Sequence, residues 1–138
     1  MAEAGGLNDK IIAEFRANGG KVGGPFEGGT LLLLHTTGAR SGREHVTPVM
    51  YREEGSNYTV FASKAGAPDN PDWYHNLLAQ PKVTAEIGTQ TVSLVARVAA
   101  GQERDRIWAA NKLQNPGFAE YERQTTRQIP VVILEPSG

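Results

Sequence analysis

Between Thr30 and Ala62 the chain passes through three short runs of strand-forming residues separated by two clusters of turn residues, and this pattern restricts the fold more than any other feature. Thr30 to Thr36 is a compact apolar run that reads as a buried strand. Gly38 to Gly42 is a turn, and Glu44 to Tyr51 is the returning partner, with Val46 and Tyr51 favouring extended backbone. Pro48 has no N–H to give to a ladder, so it belongs at an edge or a bulge. Glu54-Gly55-Ser56-Asn57 makes a second turn before the strand Tyr58 to Ala62.

The flanking segments complete the pattern. Leu7, Ile11, Ile12 and Phe15 have helical spacing over Leu7 to Asn18, with Asn8 as the expected cap and Gly19-Gly20 as the stop. Lys21 to Gly29 is rich in glycine and reads as an irregular connection. Pro71 suits the first turn of a helix capped by Asp69 or Asn70 and running through Trp73 and Leu77 to Gln80, where Pro81 ends it. Strands follow at Val83 to Ile87 and Thr91 to Val98, then helical pieces at Glu103 to Lys112 and Phe118 to Arg123, and a last strand at Val131 to Leu134. Hairpins dominate and strands do not alternate with helices, which predicts an α+β chain: a small antiparallel barrel with helices packed outside. No glycine fingerprint joins a strand to a helix, so a nicotinamide-binding Rossmann site has no support. With 138 residues the chain is expected to form one domain over 1–138, with helix and glycine-rich loop in 1–29 and the barrel core in 30–136.

Composition narrows the chemistry. Fourteen basic residues against 15 acidic ones give a formal net charge of -1, so the broad positive field of a nucleic-acid binder is missing and any cation cluster must be local. With no cysteine, disulfides, thiolate nucleophiles and Cys-ligated metals drop out. His35, His45 and His75 fall in three different elements without ligand spacing, so no metal site is expected, and His35 reads as a structural residue in an apolar strand. Neither Ser41 nor Ser63 sits in a nucleophile elbow. No signal-peptide pattern or membrane-spanning run is visible. A cytoplasmic protein is therefore expected, with peripheral contact at the inner membrane face left open.

Three clusters suggest a ligand that is both anionic and flat. In Gly38-Ala39-Arg40-Ser41-Gly42-Arg43 the glycines permit conformations that turn N–H groups toward a ligand, and Arg40, Ser41 and Arg43 add donors for phosphate or carboxylate. Ser63-Lys64-Ala65-Gly66 combines small side chains with a cation. Asn70-Pro71-Asp72-Trp73-Tyr74-His75-Asn76 opens a helix whose dipole favours anions, with Trp73 and Asn76 available to line a pocket. Each cluster also has an ordinary reading: a hairpin loop with solvated arginines, a strand end with an exposed lysine, and aromatic residues that simply fill the core.

Taken together, Leu34-His35-Thr36-Thr37-Gly38-Ala39-Arg40-Ser41-Gly42-Arg43, Thr47-Pro48-Val49, Ala62-Ser63-Lys64, Asn70 to Leu77 and Ile129-Pro130-Val131-Val132 resemble the deazaflavin-dependent nitroreductase family of actinobacteria, over about Thr30 to Pro136. The resemblance implies a split β-barrel of the FMN-binding type and coenzyme F420, an 8-hydroxy-5-deazaflavin bearing a phosphate and an oligoglutamate tail. By position it implies that Arg40, Ser41 and Gly42, with Arg43, meet the phosphate or tail. Thr47, Pro48 and Val49 lie along the deazaflavin; Ala62, Ser63, Lys64 and Ala65 contact its rings or linker; and Asp72, Trp73 and Asn76 complete the pocket. Two positions depart from the family pattern. Ala39 stands where members often have a basic residue, and His45, also expected at the cofactor, stands where they often have an arginine. The tyrosine-rich substrate wall of the nitroreductase corresponds here to Asn115, Phe118 and Tyr121, of which only Tyr121 keeps a phenol.

The implied reaction is hydride transfer from the reduced deazaflavin to a small hydrophobic conjugated substrate: quinones, unsaturated lactones or enones, or nitroaromatics. Phe118 and Tyr121 would touch the substrate, and Tyr121, Ser63 or water would supply the proton. The alternatives are a non-catalytic deazaflavin carrier, an FMN-dependent split-barrel reductase, or an interaction domain with no cofactor. A monomer and a homodimer are both consistent with the sequence.

Overall fold

A computed structural model of the chain describes residues 7–20, 31–63 and 70–137. Six antiparallel strands close into a barrel: β1 (Leu31–Thr37), β2 (Glu44–Glu54), β3 (Asn57–Phe61), β4 (Lys82–Ile87), β5 (Gln90–Val98) and β6 (Val131–Pro136), in the order β1-β2-β3-β6-β5-β4. Among the described residues four helices pack around it: α1 (Leu7–Ala17), α2 (Asp72–Ala79), α3 (Gly101–Gln114) and α4 (Gly117–Arg123). Among the described residues no helix is long and apolar enough to cross a membrane.

The four consecutive leucines of β1 show how the sequence builds this shape. Side chains alternate across a strand. Leu32 and Leu34 therefore enter the barrel interior with Val60, Ala62, Leu94 and Leu134, whereas Leu31 and Leu33 face outward and are covered by Ile11 and Phe15 of α1. A strand buried on both faces explains an uninterrupted apolar run. The same alternation separates β3 and β6, whose outward residues Phe61, Val131 and Ile133 pack under α3 and α4 with Ile107, Trp108 and Phe118. From α2, Trp73 and Leu77 pack into the interior cluster.

Strand and helix positions expected from the sequence agree with those observed to within a few residues at each end. The expected Lys21 to Gly29 connection lies outside the described residues, as do Lys64, Ala65 and the cap candidate Asp69. Pro48 pairs with Leu33 of β1 in a part of β2 that lies outside its ladder with β3, which begins at Tyr51, so the missing N–H breaks no ladder on that side. Gly19 and Gly20 do end α1, with φ of 65° and 100°, and the Gly20 N–H donates to the Phe15 carbonyl at 2.8 Å. A Cβ on Gly20 would fall 2.9 Å from the Gly88 Cα, so the glycine also lets α1 meet the β4–β5 turn. Two caps differ from expectation. α1 starts at Leu7, which places Asn8 inside its first turn, and α2 has Pro71 itself at the capping position with no side-chain cap, because the Asn70 carboxamide oxygen accepts a hydrogen bond from Arg127 instead.

Candidate functional site

The β1–β2 hairpin and the start of α2 enclose a cleft of about 720 Å³. The turn contributes Gly38, Ala39, Arg40 and Ser41, β2 contributes His45 and Thr47, and α2 contributes Asp72, Trp73, His75 and Asn76. Three stretches separated by up to about thirty residues of sequence thus meet on one concavity, as a ligand site on a small barrel requires.

Asn76 explains why they meet. It is buried, its Oδ1 accepts the Ala39 N–H at 2.9 Å, and its Nδ2 donates to Thr36 Oγ1 at 3.2 Å. One carboxamide, with an acceptor and donors on the same short side chain, therefore pins the turn and the end of β1 to the helix. The turn is tight in its own right. The Gly38 N–H donates to the Arg43 carbonyl at 2.7 Å, the Gly42 N–H to the Gly38 carbonyl at 3.0 Å, and the Arg43 N–H to Ser41 Oγ at 3.1 Å. Gly42 has φ of 71°, the left-handed region that favours glycine. Gly38 is required for a different reason: a Cβ there would lie 2.5 Å from Ser41 Oγ and 2.9 Å from His45 Nε2.

This hydrogen bonding narrows the expected anion cradle. The N–H groups of Gly38, Ala39, Gly42 and Arg43 are all engaged within the protein, so the turn's glycines shape it and do not aim those donors at a ligand. Charge must come from side chains. Arg40 and Arg43 are exposed, and neither guanidinium has an ion-pair partner among the described residues. Arg16, Arg52, Arg97, Arg104, Arg106 and Arg123 are each paired with a carboxylate. A local excess of unpaired cation beside a cleft fits an anionic ligand in a protein of net charge -1.

The other expected residues separate by strand face. Gly42 lines a second groove, on the side of the turn that faces Thr37, Glu44 and Lys82. Arg43 is exposed, Pro48 is half-buried, and Val49 points into the barrel interior. Ala62 is also in that interior cluster, and Ser63 is 8 % exposed just beyond β3. Phe118 and Tyr121 meet edge to face at 5.6 Å in the aromatic cluster with Phe61 and Trp108, and neither lines the cleft. Trp73 satisfies both of its readings at once, being a core residue with an edge on the cleft. His75 was not singled out from the sequence. Its signal was the spacing from Asp72, three residues along one helix face.

His35 is a satisfied structural residue on the opposite flank. Its Nδ1 lies 3.0 Å from Glu44 Oε2 and its Nε2 2.6 Å from Glu86 Oε2, while Arg16 of α1 grips Glu86 at 2.7 and 3.0 Å. The Arg16 hydrogen bond, followed by that of His35, holds the Glu86 carboxyl below the usual carboxylate range against the opposing effect of burial. Among the described residues no cluster of metal-ligating side chains occurs.

Comparison with known proteins places this geometry in context. The model of a family described as F420H(2)-dependent quinone reductase matches residues 9–136. A Mycobacterium tuberculosis protein named as an F420H(2)-dependent quinone reductase is 36 % identical over 132 residues, covering 93 % of this chain and 87 % of the relative. A solved structure described as an F420-H2 dependent reductase superposes with a TM-score of 0.70 at 39 % identity, over 77 % of this chain and 94 % of that one. Another, described as a domain-swapped dimer, has a TM-score of 0.72 at 36 % identity, over 92 % of this chain and 93 % of its own.

Proposed function

The chain belongs to the F420H(2)-dependent quinone reductase family, and from that premise we propose that it is an oxidoreductase which uses reduced coenzyme F420 to reduce quinones and related conjugated acceptors. The observation that carries the reading is the convergence of Arg40, Ser41, His45, Thr47, Asp72, Trp73 and Asn76 on one cleft beside unpaired guanidinium groups. These residues fit the group in kind: cations and a hydroxyl for its phosphate and carboxylates, and an indole beside small residues for its flat ring. Bound there, the coenzyme supplies a hydride.

The chain's own part is to bind, orient and exclude water. Arg40 and Ser41 hold the anionic portion, with Arg43 and Gly42 at the far side of the same turn. Thr47 and Pro48 would offer the β2 side of the ring site, with His45 at its edge, while Val49 and Ala62, whose side chains belong to the barrel interior, would contribute backbone; Ser63 and, by the family resemblance, Lys64 and Ala65 would contact the rings or linker. Trp73, packed into the barrel, closes the deep end. The Ser63 hydroxyl, water or the Tyr121 phenol would deliver the proton to the reduced product; Tyr121, backed by Phe118 outside the cleft lining, would do so only to a substrate that extends toward that aromatic cluster. Enones and nitroaromatics are further acceptors of the same electron-poor kind.

Fluorescence titration with oxidised coenzyme F420, with FMN and NADPH as competitors, tests the cofactor assignment. Saturable binding that FMN does not displace supports it; tighter binding of FMN, or no binding, refutes it. Single-turnover oxidation of the reduced coenzyme by a quinone then separates an enzyme from a carrier, which would show no substrate-dependent rate. Tyr121→Phe is expected to slow that turnover with binding intact, and unchanged turnover removes the phenol as donor. Because one structural relative is described as a domain-swapped dimer, light scattering decides between monomer and dimer here.

A further inference from the structure

The bend between α4 and β6 carries a guanidinium to which the proposed function gives no role. Arg127 Nη1 donates to the Ala62 carbonyl at 3.0 Å and to Asn70 Oδ1 at 2.7 Å, and its Nη2 donates to the Ser63 carbonyl at 2.7 Å. Ala62 and Ser63 directly follow β3, and Asn70 stands two residues before α2. One planar group thus ties the exit of a barrel strand to the entry of the helix that walls the cleft, across 57 to 65 residues of sequence.

The bend that presents Arg127 is itself anchored. The Ala62 N–H donates to the Pro130 carbonyl at 3.0 Å, and the buried Arg104 of α3 donates through Nη2 to the Ile129 carbonyl at 2.7 Å. Three acceptors facing two nitrogens of one fork suit arginine and not lysine, whose single ammonium is a point donor on a flexible stem.

We infer that Arg127 is a positioning residue for the cleft, an inference that rests on reading that cleft as the cofactor site. Arg127 sets where α2 begins. The start of α2 sets Trp73, and the first turns set Asn76, whose carboxamide holds the Gly38–Gly42 turn through Ala39. Arg127 bonds the carbonyls of Ala62 and Ser63, which the proposed ring site includes, and the side chain of Asn70, so its influence on the ligand passes through backbone and Asn70.

The test compares Arg127→Ala and Arg127→Lys with Ile11→Ala, a control that removes apolar packing in the α1–β1 cluster, which contains no residue of α2. Oxidised coenzyme F420 is titrated by fluorescence well below each melting temperature, and amide exchange of each free protein is followed by mass spectrometry. Loss of hydrogen bonds from a charged donor should weaken binding by about tenfold or more in Arg127→Ala, with Arg127→Lys between that variant and wild type. Millimolar guanidinium should tighten binding by Arg127→Ala. Exchange should quicken over residues 70–79 and 38–43 in the Arg127 variants and not in Ile11→Ala. If Arg127→Ala does not fold, Arg127→Lys carries the comparison.

Affinity of Arg127→Ala within about twofold of wild type, or an equal loss in Ile11→Ala, overturns the inference, since general destabilisation then accounts for everything. If wild-type protein fails to bind the coenzyme, it is the cofactor reading that falls. Exchange then judges the clamp by itself: quickening confined to those segments upholds the positioning, and unchanged exchange refutes it.

Discussion

Replacing Asn76 by alanine should loosen the cleft by a calculable amount. The carboxamide is 7 % exposed and makes two hydrogen bonds, one to the Ala39 N–H and one to the Thr36 hydroxyl. Each bond contributes about 1 kcal/mol net, and a buried partner left unsatisfied adds roughly another 1 kcal/mol or more. Ala39 lies at an exposed turn, where water can take over its N–H, whereas Thr36 is 2 % exposed and has less access to solvent. The expected loss is therefore about 2–3 kcal/mol, which for a domain of this size corresponds to a fall in melting temperature of about 7–10 °C. Affinity for the coenzyme should fall as well, because the Arg40 turn loses its tether to α2. Thermal melts of Asn76→Ala, Thr36→Val and the double variant provide the assay, and a coupling of about 0.5 kcal/mol or more between the two sites is expected from direct contact. A melting temperature lowered by less than about 2 °C, or additive effects of the two substitutions, would refute the claim that this carboxamide organises the cleft.

Three further outcomes follow from the same structure. Gly38→Ala places a methyl 2.5 Å from Ser41 Oγ and should destabilise the protein by about 1–2 kcal/mol; in a Ser41→Ala background, where that atom is gone, denaturant melts should show a smaller cost. Arg40→Ala should weaken coenzyme binding at low ionic strength, and the difference from wild type should shrink as salt is added; a difference indifferent to salt would show that the guanidinium is not acting through charge. Glu86, with its carboxyl held low by Arg16 and His35, contributes stability that is present above the unfolded-state carboxylate range of about pH 4.3 and is lost as pH falls through the lower folded value. The stability gap between wild type and Glu86→Gln in urea melts should accordingly be largest near neutrality and close below pH 4, and a gap independent of pH would disprove the linkage.

Much of this fold was legible in the chain because its signals are local. Turn residues recur at hairpin spacing, an apolar run is bounded by glycines, and prolines stand where helices start and stop; backbone sterics act within a few residues and need no knowledge of partners. The four leucines of β1 even announce a strand covered on both faces. Helix capping was less legible. Asn70 has the right side chain to cap α2, but a stronger, charged donor from 57 residues away claims its oxygen.

The site was readable as a set of residue types and unreadable as a geometry. Arg40, Ser41, Trp73 and Asn76 could be selected because cations, hydroxyls and aromatics beside glycine are the chemistry an anionic flat ligand needs. Whether those turn N–H groups were free could not be read, since their acceptors are carbonyls and side chains chosen by the folded turn. Nor could the side of each strand be assigned until the barrel closed: period-two alternation says that Ala62 and Phe61 face opposite ways, and only closure says which way is in. The sequence alone thus determined the elements, the family and the chemical character of the site. Tertiary structure decided which residues share a cleft, what ties them together and where Arg127 reaches, because those contacts join segments whose separation along the chain carries no information about distance in space.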